Sequence, residues 1–97
     1  MSDARLYLVA YDITAPRRWR RVYKVLCRVG ERGQFSVFLC RLPPARMRQV
    51  GAVLAGLIDP QSDRLMVLDL GPAATAPARI LVGAGLVPPG QAWPLVI

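Results

Sequence analysis

The chain has no histidine, only two cysteines and only six acidic residues among its 97 positions. The absence of histidine excludes serine–histidine and cysteine–histidine catalysis, together with histidine metal sites. Cys27 and Cys40 do not form a Cys-x-x-Cys pair, so that zinc motif is excluded as well. Because both cysteines lie in apolar stretches, we expect them to be reduced thiols of the core.

Long hydrophobic runs are also missing. No apolar stretch reaches the roughly 18 residues that a transmembrane helix requires, and the first residues do not have the pattern of a signal peptide. We therefore expect a cytoplasmic protein that does not enter a membrane. The length fits one domain. Since 54% of the residues are hydrophobic, one small domain has more apolar surface than it can bury, which favours an oligomer.

Arginine, in contrast, is abundant and clustered. Twelve of the thirteen basic residues are arginine, and the formal net charge is +7. Guanidinium groups match phosphate geometry and do not lose their charge, so nucleic acid is the expected partner and an anionic membrane a weaker alternative. A GC-rich genome, which favours arginine over lysine, would explain the composition but not the clustering. Seven bases fall in one segment: Arg17, Arg18, Arg20, Arg21, Lys24, Arg28 and Arg32.

A strand followed by an amphipathic helix is predicted for the first third of the chain. Residues 5–12 are apolar on both faces, which is typical of a central strand. Thr14 is a candidate helix cap, Pro16 suits the first turn, and Gly30 is expected to end the helix. The residues at helical spacing that should face the core are Trp19, Val22, Leu26 and Val29.

The next segments predict a second strand–helix–strand unit. Residues 34–42 are strand-like, either as one strand with a kink near Ser36 or as the second arm of a hairpin that begins around Arg32. A second helix should open at Pro43-Pro44 and stop at Asp59-Pro60, before a strand over 64–70. The buried face of this second helix is predicted to contain Met47, Val50, Leu54 and Leu57.

This order of elements predicts an α+β, ferredoxin-like βαββαβ sandwich with both helices on one face of the sheet. The other face then requires a cover. We assign residues 1–70 to the core domain and 71–97 to a linker and a C-terminal strand. That strand either packs on the partner subunit of a homodimer or folds back on its own domain.

Asp12 is the only acid at the end of the predicted central strand, beside the basic helix. One carboxylate is a poor magnesium site, but two Asp12 side chains across a two-fold axis, with substrate phosphate, would serve better. The alternative is a helix-capping aspartate. The helix bases have two interpretations as well, phosphate contact or a solvated face, but no acid supplies their i,i+4 partners. Tyr11, Tyr23 and Phe38 have the chemistry to stack on bases, although such spacing is more typical of core residues.

Several short motifs, in this order and spacing, resemble the CRISPR-associated Cas-two family. The resemblance covers roughly residues 6–70. Two positions depart from the family pattern: Trp19 replaces a frequent helix arginine, and Leu39 replaces a common glutamate, which weakens the expectation of nuclease activity more than that of DNA binding. The matching motifs are Tyr11-Asp12-Ile13, Arg20-Arg21-Val22 with Leu26, Gly30, Gln34-x-Ser36-x-Phe38, Ile58-Asp59-Pro60 and Asp63.

The resemblance implies a homodimer whose C-terminal strand adds to the partner's sheet and which bridges two dimers of the CRISPR integrase during spacer acquisition. It also implies, for some members, cleavage of single-stranded RNA or double-stranded DNA with Mg²⁺ or Mn²⁺. The implied site residues are Tyr11, Asp12 as the metal ligand, Arg21, Arg32, Ser36 and Phe38. The expected nucleic-acid contacts are Arg17, Arg18, Arg20, Arg21, Lys24 and Arg28.

Three functional hypotheses are therefore open. The first is a metal-dependent endonuclease that uses paired Asp12 side chains. The second is a non-catalytic adaptor that holds duplex DNA and the integrase. The third is a toxin-like RNase of the same fold.

Overall fold

The structure is a computed structural model that describes residues 3–34 and 36–76. These residues form one antiparallel sheet with the strand order β2-β3-β1-β4. The predicted α+β class and the βαββαβ order are both confirmed. The elements are β1 (Arg5–Asp12), α1 (Pro16–Val29), β2 (Gly30–Gln34), β3 (Val37–Leu42), α2 (Pro44–Leu57) and β4 (Arg64–Pro72).

The segment after α1 is a hairpin rather than one kinked strand. Gly30 ends the helix and at the same time begins β2, whose last residue Gln34 pairs with Val37 of β3. No loop separates α1 from β2. A Cβ atom on Gly30 would lie 2.6 Å from both the Cys40 Sγ atom and the Leu39 carbonyl oxygen. Glycine is therefore required here by the close approach of β3 and not by a left-handed backbone.

One face of the sheet is covered by both helices. Since side chains alternate along a strand, Tyr7, Val9 and Tyr11 of β1 point to the helices and are buried. Phe38 and Cys40 of β3 join them from the neighbouring strand. The helices contribute Val22, Leu26, Met47, Val50 and Leu54, each of which the sequence pattern assigned to a core-facing side.

The opposite face, called here the open face, has no helix over it among the described residues. It consists of the alternate residues of all four strands, with Leu6, Leu39 and Ala76 forming a small buried cluster. Met66 and Leu68 lie on this face and are 49% and 45% exposed. The open face therefore exposes apolar side chains, as expected for a face that requires a cover.

Two local expectations are wrong. Thr14 does not cap α1, because the N-cap position is Ala15, which offers no side-chain hydrogen bond. Cys27 is an exposed free thiol rather than a core residue, since it lies beside the buried stripe of α1 and not within it. Cys40 is buried as expected, and burial raises the pKa of its thiol to about 11.

β4 continues to Pro72, two residues past the boundary expected at residue 70, and the chain then packs Ala76 onto Leu6 and Leu39. The linker and C-terminal strand were assigned to residues 71–97, and of these residues 77–97 lie outside the described residues. Neither α1 nor α2, the helices of the described part, combines the length and the apolar content that a bilayer span requires.

Candidate nucleic-acid interface and strand-end carboxylate

Four basic residues of α1, Arg17, Arg21, Lys24 and Arg28, form a line on the side of the helix away from the core. At about 3.6 residues per turn these positions fall within an arc of about 60°. All four are exposed, and the centre of their arc is about 150° from that of the buried residues Val22 and Leu26. We call these four residues the basic stripe.

No acid neutralises the basic stripe within its own helix. The first turn of α1 contains no acidic residue, and the last turn contains Arg28. Arg20 is also exposed and lies beside the stripe. The helix N-terminus adds its own partial positive charge near Arg17. The arrangement is therefore suited to an extended anionic ligand such as a sugar-phosphate backbone.

Arg18, a predicted nucleic-acid contact, points to a carboxylate inside the protein. Its Nε atom donates to Asp63 Oδ2 at 2.8 Å, and its Nη2 atom donates to Oδ1 at 3.3 Å. The Asp63 side chain is fully buried, and it also accepts the backbone N–H groups of Asp59 at 2.8 Å and Thr14 at 3.4 Å. This clasp fastens the start of α1 to the turn before β4.

The clasp depends on the ionised carboxylate. The Arg18 hydrogen bond, followed by the backbone N–H of Asp59, lowers the pKa of Asp63 from 3.8 to about 2. The same interaction raises the pKa of Arg18 above its usual value. Arg18 is thus half-buried and engaged in holding the fold, and its charge is less available to a ligand than those of the basic stripe.

Asp12, the predicted metal ligand, is exposed at the last position of β1. Its side chain leaves the sheet on the side of the open face, because it alternates with the buried Tyr11. Arg64 is its direct partner in the antiparallel register of β1 and β4. The helix-cap alternative is not observed, since Asp12 accepts no hydrogen bond from the first turn of α1 among the described residues.

The side chains around Asp12 meet only part of the requirements of Mg²⁺. The described residues contain no group of three or more side chains from histidine, cysteine, aspartate and glutamate that would form a preformed metal site. Mg²⁺ often binds through one or two carboxylates, waters and substrate phosphates. The exposed Asp12 carboxylate could supply one ligand of such a site but not the whole set.

Tyr11 and Phe38, two of the site residues that the resemblance implies, lie in the core of the protein. Tyr11 and Phe38 are 4% and 0% exposed, and their rings stack at 6.3 Å between centroids. Burial raises the pKa of Tyr11 to about 12, with Arg32 acting in the opposite direction. Ser36 is half-buried at the hairpin turn, and its carbonyl accepts the Tyr11 backbone N–H at 3.0 Å. These residues therefore support the end of β1.

Arg32 reaches the same region from β2. Its guanidinium lies over the Tyr23 ring, 5.3 Å from the centroid. Tyr23 in turn stacks on Trp19, with 5.0 Å between centroids and an interplanar angle of 9°. Arg21 lies in the basic stripe and makes no contact with this cluster among the contacts of the described residues. The structure therefore divides the expected site residues into the stripe, the aromatic cluster with Arg32, and Asp12.

Sequence reasoning missed the clasp and the position of Arg64. Both Arg18 and Asp63 stand out in the sequence, but their separation of 45 positions gives no pairing signal. The sequence pattern marks Arg64 only as the first residue of a strand. Its location opposite Asp12 follows from the register of β1 and β4, which the sequence pattern alone does not fix.

Comparison with known proteins gives one family. The family model described as CRISPR associated protein Cas2 matches residues 5–75. A Rhodospirillum rubrum protein named CRISPR-associated endoribonuclease Cas2 1 is 48% identical over 67 residues, covering 69% of this chain and 66% of that protein. A Geobacter sulfurreducens protein named CRISPR-associated endoribonuclease Cas2 is 39% identical over 75 residues, covering 77% and 79%. The chain thus spans just under two thirds of the Rhodospirillum protein.

Solved structures agree with this result. Streptococcus pyogenes Cas2, crystallised at pH 6.5, has a TM-score of 0.69 and 31% identity, covering 77% of this chain and 94% of that chain. The hypothetical protein TT1823 from Thermus thermophilus has a TM-score of 0.67 and 34% identity, covering 70% and 83%. Sequence motifs, strand order and these comparisons agree, and the chain belongs to the Cas2 family of CRISPR-associated proteins.

Proposed function

We propose that the protein is a nucleic-acid-binding adaptor of CRISPR adaptation, a basic homodimer that holds duplex DNA and bridges the integrase dimers during spacer acquisition. The observation that carries the proposal is the basic stripe, four exposed cations in one line with no acid among them. Membership of the Cas2 family supports the link to CRISPR. Duplex DNA is the expected ligand because a straight line of charges follows a regular backbone.

The homodimer is proposed from the open face. Exposed Met66 and Leu68 beside half-buried Leu8 and Leu70 form an apolar surface that a second copy would cover. In such a dimer the basic stripes of both subunits remain accessible, because α1 lies on the opposite side of the sheet. The exchange of a C-terminal strand onto the partner's sheet is part of this proposal.

The dimer is tested with a pair of matched substitutions. Leu68→Glu places a charge on the open face, and Val53→Glu places the same charge on α2, where Val53 is 52% exposed. Sedimentation equilibrium should show monomers for Leu68→Glu and dimers for Val53→Glu and the wild type. A dimer that survives Leu68→Glu would exclude the open face as its interface.

A second candidate function is metal-dependent phosphodiester cleavage of single-stranded RNA or double-stranded DNA, and the position of Asp12 favours it. The carboxylate is exposed at the rim of the open face, so subunits that pack through this face would bring two such groups toward one another. Both relatives described above are named endoribonucleases. Mg²⁺ or Mn²⁺ would supply an activated water and neutralise phosphate charge. Arg21 and Arg32 would add positive charge from the helix side of the sheet.

Asp12→Asn separates the two functions. Cleavage of labelled RNA and DNA with Mg²⁺ should stop, while duplex binding and spacer acquisition in cells that carry the integrase should persist. Glu31→Gln is the matched control, because it also removes one exposed carboxylate from the sheet. Cleavage that persists in Asp12→Asn would refute the role of Asp12 as the metal ligand. A wild-type protein that cleaves neither RNA nor DNA with Mg²⁺ would refute the nuclease and leave the adaptor standing. Loss of acquisition in Asp12→Asn alone would refute a non-catalytic adaptor.

A further inference from the structure

Arg64 and Asp12 are direct partners across the β1–β4 ladder. In an antiparallel pair, residues opposite each other point to the same side of the sheet, with Cβ atoms about 4.5–5.5 Å apart. Arg64 therefore stands beside Asp12 at one end of the open face, and it is exposed. This places a permanent positive charge next to the carboxylate on which the proposed metal chemistry depends.

The guanidinium of Arg64 is fixed on one side by a hydrogen bond to the backbone. Its Nη1 atom donates to the carbonyl oxygen of Asp63 at 3.2 Å. Asp63 is itself fixed by the clasp with Arg18, so the backbone around this carbonyl is anchored. No ion pair joins Arg64 to Asp12 among residues 3–34 and 36–76. The remaining donors of the guanidinium are thus not committed to the neighbouring carboxylate.

A phosphate is the ligand that this pair of charges suits. A backbone phosphate that approaches Asp12 alone would be repelled, and one that bridges to Asp12 through a cation still carries negative charge on its other oxygens. A guanidinium beside the carboxylate offers those oxygens two parallel N–H donors. We propose that Arg64 contacts a backbone phosphate of nucleic acid at the Asp12 end of the sheet, an inference that rests on the nucleic-acid binding proposed above.

Arg41 provides a matched control within the same sheet. It is exposed on β3 and pairs with Leu6, so it lies on the open face at the opposite end of β1. Six strand positions separate Leu6 from Asp12, which corresponds to about 20 Å. Arg64→Gln and Arg41→Gln therefore remove the same charge from the same face at two different distances from Asp12.

Fluorescence anisotropy of the full chain with a labelled duplex of about 30 base pairs, in EDTA and at about 50 to 200 mM NaCl, tests the proposal. Arg64→Gln should weaken binding about tenfold. It should also reduce the salt slope, the steepness with which log K falls as log[NaCl] rises, by about 0.9 for each phosphate that the variant no longer neutralises. Arg64→Lys should restore most of the slope. Arg41→Gln should match the wild type. Circular dichroism and sedimentation confirm that each variant is folded and dimeric.

A double-substitution cycle tests whether Arg64 and Asp12 act in one site. Asp12→Asn combined with Arg64→Gln should deviate from the product of the single effects on affinity by more than about twofold, because neighbouring charges couple. For Asp12→Asn combined with Arg41→Gln, the effect on affinity should equal the product of the effects of these two single substitutions. If both pairs are simply multiplicative, the two residues do not share a ligand.

The outcomes distinguish this proposal from the one it rests on. A wild-type protein that binds no duplex would refute both. A wild-type protein that binds with a steep salt dependence, together with Arg64→Gln of unchanged slope, would refute only the role of Arg64. An equal reduction of slope in Arg64→Gln and Arg41→Gln would reduce the effect to overall charge and would also overturn the proposal.

Discussion

Replacing the basic stripe of α1 by glutamine is the most direct perturbation of the proposed nucleic-acid contact. The variant carries Gln at Arg17, Arg21, Lys24 and Arg28, all of which are exposed on one side of the helix. Glutamine is polar, uncharged and a good helix former, and none of the four positions belongs to the core-facing side of α1. Arg18 is retained because its guanidinium holds the buried Asp63.

The magnitude follows from the length of the stripe. From Arg17 to Arg28 the helix rises about 17 Å, which corresponds to about five base-pair steps along one DNA strand. Four phosphate contacts for each subunit are therefore an upper limit, and their removal should reduce the salt slope by up to about 3.6. Between 50 and 200 mM salt, a slope of that size corresponds to about a 150-fold change in affinity.

The assay is the slope of log K against log salt for a duplex, measured by fluorescence anisotropy. A double substitution of Arg46 and Arg48 by glutamine is the control, because both arginines are exposed but belong to α2. It should leave the slope close to that of the wild type, whereas Arg21 and Lys24 replaced together should remove up to about 1.8. If the fourfold variant and the α2 control show the same reduction in slope, α1 is not the contact surface.

Three further predictions concern the supports of the site. Arg18→Gln should lower the melting temperature without changing the salt slope. Because the pKa of Asp63 is lowered from 3.8 to about 2, the stability that the clasp contributes is present above about pH 4 and is lost as the pH falls through 2. The melting temperatures of the wild type and Arg18→Gln, measured at decreasing pH, should therefore become equal in acid. Tyr23→Leu should slow the Mg²⁺-dependent cleavage of labelled nucleic acid through misplacement of Arg32, and Tyr23→Phe should restore the rate, since phenylalanine keeps the ring; equal rates in the wild type and Tyr23→Leu would contradict this. Gly30→Ala should cost about 1–3 kcal/mol in urea unfolding, because the added methyl group meets β3 at 2.6 Å; an unchanged midpoint would show that the strands adjust freely.

Much of the fold was predictable because burial leaves a periodic record. The apolar residues on both faces of residues 5–12 predicted a central strand, and β1 lies between β3 and β4. The spacing of Val22 and Leu26 predicted the buried side of α1. Cys27 was misplaced because its apolar neighbours suggested a core environment, whereas helical rotation carries it about 100° past Leu26 to an exposed position.

The site was predictable only where function shows in local composition. The basic stripe is such a case, since four bases without acids are visible in the chain itself. The clasp between Arg18 and Asp63 and the register of Asp12 with Arg64 depend on contacts between residues far apart in sequence. Pattern analysis could not separate an arginine used inside the fold from one offered to a ligand, because both occur in the same run.

Both ends of α1 are anchored, by the Asp63 clasp at the start and by the direct passage into β2 at Gly30. The backbone of α1 is therefore ordered before any partner binds. Binding of a ligand costs the conformational entropy of the side chains that it restricts but not the entropy of folding a segment. Association should consequently be fast and controlled by diffusion and ionic strength, with little of the heat-capacity change that accompanies coupled folding.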